Sequence, residues 1–139
     1  MCIGTTAGCP STPPSSTQGV MIYNGCPSRP TNGCGSSGWN YGAVSIQGGS
    51  NVTLTSLTTD QSKVYGGILV FQDRNDTHPV NVSGNSGISA CYLGTIYAPQ
   101  SSNVTLGAGQ ATMRVQSVVA QQVSISGQAK VTVGAVSCS

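Results

Sequence analysis

The feature that most limits how this chain can fold is a short unit that recurs: an apolar-x-apolar stretch, a Gly/Asn/Ser turn, then a second alternating stretch. It appears as VSIQGGSNVTL from Val44, VNVSGNSGISA from Val80 and VSISGQAKVTV from Val123. The first valines of these units are 36 and then 43 residues apart. Alternation with period 2 over three to five residues marks a strand with one buried face. Further short strands are expected at Gly67–Phe71, Gly94–Ala98, Asn103–Leu106 and Met113–Ala120, with an earlier one at Gly19–Tyr23. No stretch carries helical periodicity.

Strands this short, recurring at intervals of a few dozen residues, point to a repeat architecture. The expected fold is all-β: a parallel β-solenoid of four to six coils, each laid on the last about 4.8 Å away. Gly and Asn suit the turns because they tolerate positive φ. The alternative is a β-sandwich with long insertions. Within the Val80 unit, Ile88 and Ile96 are expected to be buried. Asn85 is expected at the surface, stacked near Gly49 and Gln128.

The first 42 residues differ in character. They hold most of the prolines and four of the six cysteines. They are expected to form an irregular Cys/Pro/Gly-rich arm and loop with one short strand, ahead of solenoid coils over 43–139, all in one folded unit. Trp39 and Tyr41 end this region. Packing against the core is their ordinary use, and contact with a glycan or a partner's pocket is the functional alternative.

Six cysteines among 139 residues favour disulfides and an oxidising compartment. They admit more pairings than a sequence can choose among. The working expectation joins Cys2 with Cys9, Cys26 with Cys34, and Cys91 with Cys138. Zinc fits poorly, since the early spacings are too wide for a knuckle and His78 is the only histidine. Met1-Cys2-Ile3-Gly4 does not open a signal peptide, so the chain is expected to be a fragment of a secreted or surface protein. No run of some 20 apolar residues is present to span a bilayer.

Charge excludes other classes. Only 6% of residues are charged, and five Lys/Arg stand against three Asp/Glu. The cations are scattered singly, which leaves no stripe to track a nucleic-acid backbone. The one polar cluster is Phe71–Pro79, with Asp73, Arg74, Asp76 and His78. A polysaccharide-active enzyme would use carboxylates here. The simpler expectation is a polar turn in which Asp73 caps backbone amides and Arg74 pairs with Asp73 or Asp76. Neither catalytic nor metal-ligating residues are expected, and no cofactor. The sequons at Asn51, Asn75, Asn81 and Asn103 are expected to be turn-to-strand junctions. Thr53, Thr55, Thr105 and Thr132 alternate with apolar residues. Were they to share one outer face, that face would suit ice or a crystalline polysaccharide.

The string GILVFQDR at Gly67–Arg74, followed by VNVSGNSG, resembles a pattern in TadG-like (tight-adherence, Flp-type) pilus-assembly proteins of bacteria. The later GTIYAPQSSNVTL, SVVA and VSISGQAKVTV are similar to their repeat. The resemblance spans about residues 19–134. It implies a parallel β-solenoid on a secreted or surface-exposed protein and brings no catalytic residues. The expected role is a non-enzymatic surface or filament component, self-associating through its ends or binding other surface proteins. A carbohydrate-binding or adhesive module using Trp39 and Tyr41 is the alternative.

Overall fold

The computed structural model describes residues 19–25, 40–48, 52–84, 89–108, 112–128 and 130–138. Cys2, Cys9, Cys26, Cys34, Trp39, Gly49, Asn85 and Ile88 lie outside these residues, and so do the expectations that rest on them. The described residues form an all-β structure without a helix.

Ten strands follow one another: β1 (Ile22–Asn24), β2 (Val44–Gly48), β3 (Val52–Thr55), β4 (Ile68–Gln72), β5 (Val80–Gly84), β6 (Ala90–Ala98), β7 (Val104–Ala108), β8 (Thr112–Ala120), β9 (Val123–Ser126) and β10 (Lys130–Val133). They build two open sheets. One runs β1-β4-β6-β8-β10, with β3 also on β6; the other runs β2-β5-β7-β9. The ladders between these strands are parallel, whereas a hairpin-built sandwich has antiparallel ones. From β4 onward the chain changes sheet at every strand. β1 precedes the expected boundary after residue 42 yet pairs with β4, so this strand is part of the sheet.

Register aligns the apolar side chains into columns. Ile22, Val70, Ile96 and Val118 form one. Val44, Val80, Val104 and Val123 form a second, and Ile46, Val82, Leu106 and Ile125 a third. Val52, Ala90, Met113 and Val131 form a fourth, and Leu54, Tyr92, Val115 and Val133 a fifth. The middle members of every column are buried, Ile96 among them. The last members are not: Val123, Ile125 and Val133 are 46%, 61% and 51% exposed.

This register adds two points to the sequence reading. The three aligned units omit a fourth equivalent, Val104–Val115, which lies between the second and third. The threonines also share no single face. Thr53 stands in line with Cys91, Arg114 and Thr132, while Thr105 lies in the other sheet beside Asn81 and Ser124. The local strings NVTLT and NVTLG look alike, but their strands belong to different sheets.

Gly94 makes the bend inside β6. Its φ is +142°, and a Cβ there would sit 2.6 Å from the Ser56 Cβ and 3.0 Å from that of Leu69. Only glycine fits that turn without strain. Tyr92, two residues earlier, is 1% exposed, and its hydroxyl has no hydrogen-bond partner among the described residues. Burial raises its pKa above the ordinary 10.0.

Two outcomes follow. Leu106→Ala in mid-column is expected to cost about 2–5 kcal/mol in urea denaturation. Ile125→Ala, in the same column at the end, should cost less than about 1 kcal/mol. Tyr92 gives a pH dependence. Its folded pKa is raised, so above the ordinary value the unfolded chain loses this proton first, and stability falls as pH rises. Tyr92→Phe should be neutral or stabilising by about 1 kcal/mol at pH 7, since it removes an unpaired hydroxyl. It should also remove part of the alkaline fall in melting temperature.

Candidate functional site

The polar cluster sits where the chain leaves β4 for β5 in the other sheet. The Asp73 N–H donates to the Asn24 carbonyl at 2.9 Å, extending the β1–β4 ladder by one bond. Asp73 Oδ1 then accepts from the Asn75 N–H at 2.9 Å, and the Asp73 carbonyl accepts from the Asp76 N–H at 3.0 Å. This is an Asx turn, in which a short carboxylate holds a backbone amide two residues on.

Asp76 is fully buried. Its Oδ2 accepts from Asn24 Nδ2 at 2.8 Å. Its Oδ1 accepts from the His78 N–H at 2.9 Å and lies 2.7 Å from His78 Nδ1. The carboxylate therefore ties β1 to the turn and fixes the imidazole. With Nδ1 carrying its proton towards Asp76, Nε2 is left as the basic nitrogen. The His78 side chain is 48% exposed.

Beneath the turn, buried Gln72 donates from Nε2 to the carbonyls of Asp76 at 3.1 Å and His78 at 2.8 Å. Buried Ser101 places Oγ 3.0 Å from the carbonyls of His78 and Asn103, and its one proton serves one of them at a time. Each of these groups satisfies backbone that a change of sheet would otherwise strand.

The rest of the expected cluster is less engaged. Arg74 is exposed and makes no ion pair among the described residues; the partner of Asp76 is His78. That corrects the expected Arg74 pairing, because the Asp76 carboxylate points inward. Tyr41 is half-buried and lies beside the side chains of Asp73 and Asn75. Desolvation and then the Asp73 charge raise its phenol above the ordinary value. Tyr41 thus packs on the polar turn. Asn103 donates to Thr105 Oγ1 at 2.9 Å and accepts from Ser124 Oγ at 3.0 Å, as a junction residue does.

Chemically the turn offers one oriented imidazole. Asp76 is spent on three hydrogen bonds, and Asp73 Oδ1 is held by a backbone amide. No second carboxylate faces His78 at a separation that glycoside hydrolysis needs. Among the described residues no three His, Cys, Asp or Glu side chains converge as a metal site.

Two further features lie on the outer face. Tyr23, Phe71 and Tyr97 stack in register, with centroids 5.5 and 5.3 Å apart and planes 2° and 18° from parallel. Tyr65 meets Phe71 edge-on at 5.7 Å. This row was not among the sequence expectations. Its signal is an apolar-aromatic pair repeated as Ile22-Tyr23, Val70-Phe71 and Ile96-Tyr97. The rings turn their faces on one another, so they present edges outward and make a poor platform for a sugar.

The second feature is the disulfide between Cys91 and Cys138. Arg114 Nη1 donates to the Ser137 carbonyl at 3.1 Å beside it. A groove of about 310 Å³ runs past this bond between Thr53, Ser89, Thr112 and Arg114.

The buried turn yields a stability test. Asp76→Ala leaves the His78 N–H without its acceptor and Asn24 Nδ2 with the Gly42 carbonyl alone, and should cost about 2–4 kcal/mol. Arg74→Ala should change stability by no more than about 0.5 kcal/mol. Equilibrium urea denaturation of both variants measures the contrast.

No protein-family model, curated protein or solved structure matches the chain.

Proposed function

We propose that the chain is a β-solenoid that works as a non-enzymatic structural component of an extracellular or cell-surface assembly, of the pilus-associated kind its strings resemble. The observation that carries this reading is the set of five apolar columns. A chain that from β4 onward changes sheet at each strand and returns in register has the internal order of a coiled rod. Such a rod presents constant spacing along its length and two ends of open strand edge.

The polar cluster favours structure over chemistry. Asp76 and Gln72 hold the turn together, and the carboxylate beside His78, that of Asp76, is engaged by Asn24 and the turn backbone. The disulfide fits an oxidising compartment. No described helix is long and apolar enough to cross a membrane. The carbohydrate-binding alternative loses part of its basis because Tyr41 is engaged with Asp73 and Asn75.

Light scattering and negative-stain imaging at rising concentration test the proposal. Assemblies larger than the monomer are expected, with no turnover on a polysaccharide panel. A species that stays monomeric throughout, or turnover that His78→Ala abolishes, would overturn it.

A further inference from the structure

The sequence holds four Asn-x-Ser/Thr sites, at Asn51, Asn75, Asn81 and Asn103, and the proposed role uses none of them. All four were expected at junctions between turn and strand, but the fold separates them. Asn51 lies outside the described residues. Asn103 is such a junction, with its side-chain N–H on Thr105 Oγ1 at 2.9 Å and its side-chain oxygen accepting from Ser124 Oγ at 3.0 Å. Asn81 stands within β5, between Ser45 of β2 and Thr105 of β7, and is half-buried.

Asn75 is different. It sits on the turn between β4 and β5, clear of both strands. Asn75 and Thr77 are exposed, while Asp76 between them is fully buried. The middle residue therefore pins the turn from inside, and the two residues that a glycosyl acceptor needs face solvent. Their backbone is already held. The Asn75 N–H donates to Asp73 Oδ1 at 2.9 Å, and the Thr77 carbonyl accepts from the Ser102 N–H at 3.0 Å. The bonds that close the turn run through the side chains of Asp73, Asp76 and Gln72. A large substituent on Asn75 Nδ2 leaves these bonds in place. One on Asn103 Nδ2 would displace the Thr105 bond.

The surrounding residues select the same position. Transfer of an oligosaccharide to asparagine requires a Ser or Thr two residues on, with no proline between. The transferases of bacteria also require an acid two residues before the asparagine. Asp73-Arg74-Asn75-Asp76-Thr77 meets both conditions, whereas the other three sites have Gly49, Pro79 and Ser101 at the acid's position.

We propose that Asn75 is an N-glycosylation site that takes an oligosaccharide from a lipid pyrophosphate donor. Asn75 Nδ2 bonds to the anomeric carbon of the first sugar, and the bond from that carbon to the phosphate oxygen breaks. The lipid pyrophosphate leaves, and the proton shed by Nδ2 passes to a base of the transferase. Transfer precedes closure of the turn, because Asp73 and the backbone around Asn75 must be open to the transferase. The folded chain then carries the glycan at the corner where it passes from one sheet to the other. This rests on the extracellular part of the reading above and not on assembly.

The test is export of the full chain into a bacterial periplasm that holds an oligosaccharyltransferase and its lipid-linked oligosaccharide. A known acceptor protein in the same cells serves as control, and intact mass and glycopeptide sequencing are the readouts. One glycan is expected, on Asn75. Asn75→Gln, Thr77→Ala and Asp73→Ala should each abolish it, while Thr77→Ser, Asp73→Glu and Asn81→Gln should retain it. The glycosylated chain should keep the urea midpoint of the unmodified one. A chain left unmodified while the control is glycosylated, or a glycan mapped to another asparagine, overturns the proposal and leaves the assembly reading standing. Failure to assemble with Asn75 glycosylated overturns the assembly reading alone.

Discussion

Everything in this protein depends on parallel strands keeping one register from rung to rung. Side chains alternate across a strand, so a slip of one residue would send a whole row from core to solvent. In register, Val44, Val80, Val104 and Val123 stand in line, and each buries its neighbours. A core made of rows has no centre in the usual sense. A residue is buried because it has a neighbour on both sides along the row, and one at the end of a row lacks this. The burial of Leu106 and the 61% exposure of Ile125 are thus one rule applied at two positions.

A change of sheet at every strand carries a second requirement. At each crossing the chain leaves one ladder before it joins the next, and its carbonyls and amides need partners. Between β4 and β5 this is met by buried Asp76, Gln72 and Ser101, all acting on backbone or on Asn24. Their burial is tolerable because hydrogen bonds compensate most of the lost solvation, Gln72 Oε1 alone lacking a partner among the described residues. The Gly94 bend serves the same end inside β6, where no room exists for any side chain. The polar and glycine positions that stand out in such a sequence are therefore mostly corner pieces.

That explains what could be seen in the sequence and what could not. Strand positions and their inward faces were legible, because alternation is local. Val44, Val80 and Val123 line up on inspection, and their rows exist. Sheet membership was not legible. Val52-Thr-Leu54 and Val104-Thr-Leu106 are the same tripeptide in different sheets, and nothing within three residues distinguishes them. The depth of Asp76 was hidden as well. A run of Asp-Arg-Asn-Asp-Thr-His resembles any solvated turn, and what buries Asp76 is Asn24, 52 residues earlier. The aromatic row was visible in principle, as three apolar-aromatic pairs, but only register shows that their rings meet.

The disulfide has a role distinct from closing the stack. It joins positions 47 apart, and restricting the unfolded chain over a loop of that size is worth about 4 kcal/mol on the chain-entropy account. A bond to the neighbouring strand β8 would have fastened the tail to the last ladder alone. Instead Cys91 lies two rungs back, and the tail is drawn along the outer face by Arg114 and Gly134. The same contacts fasten the terminus to β6 and β8, in the interior of the sheet.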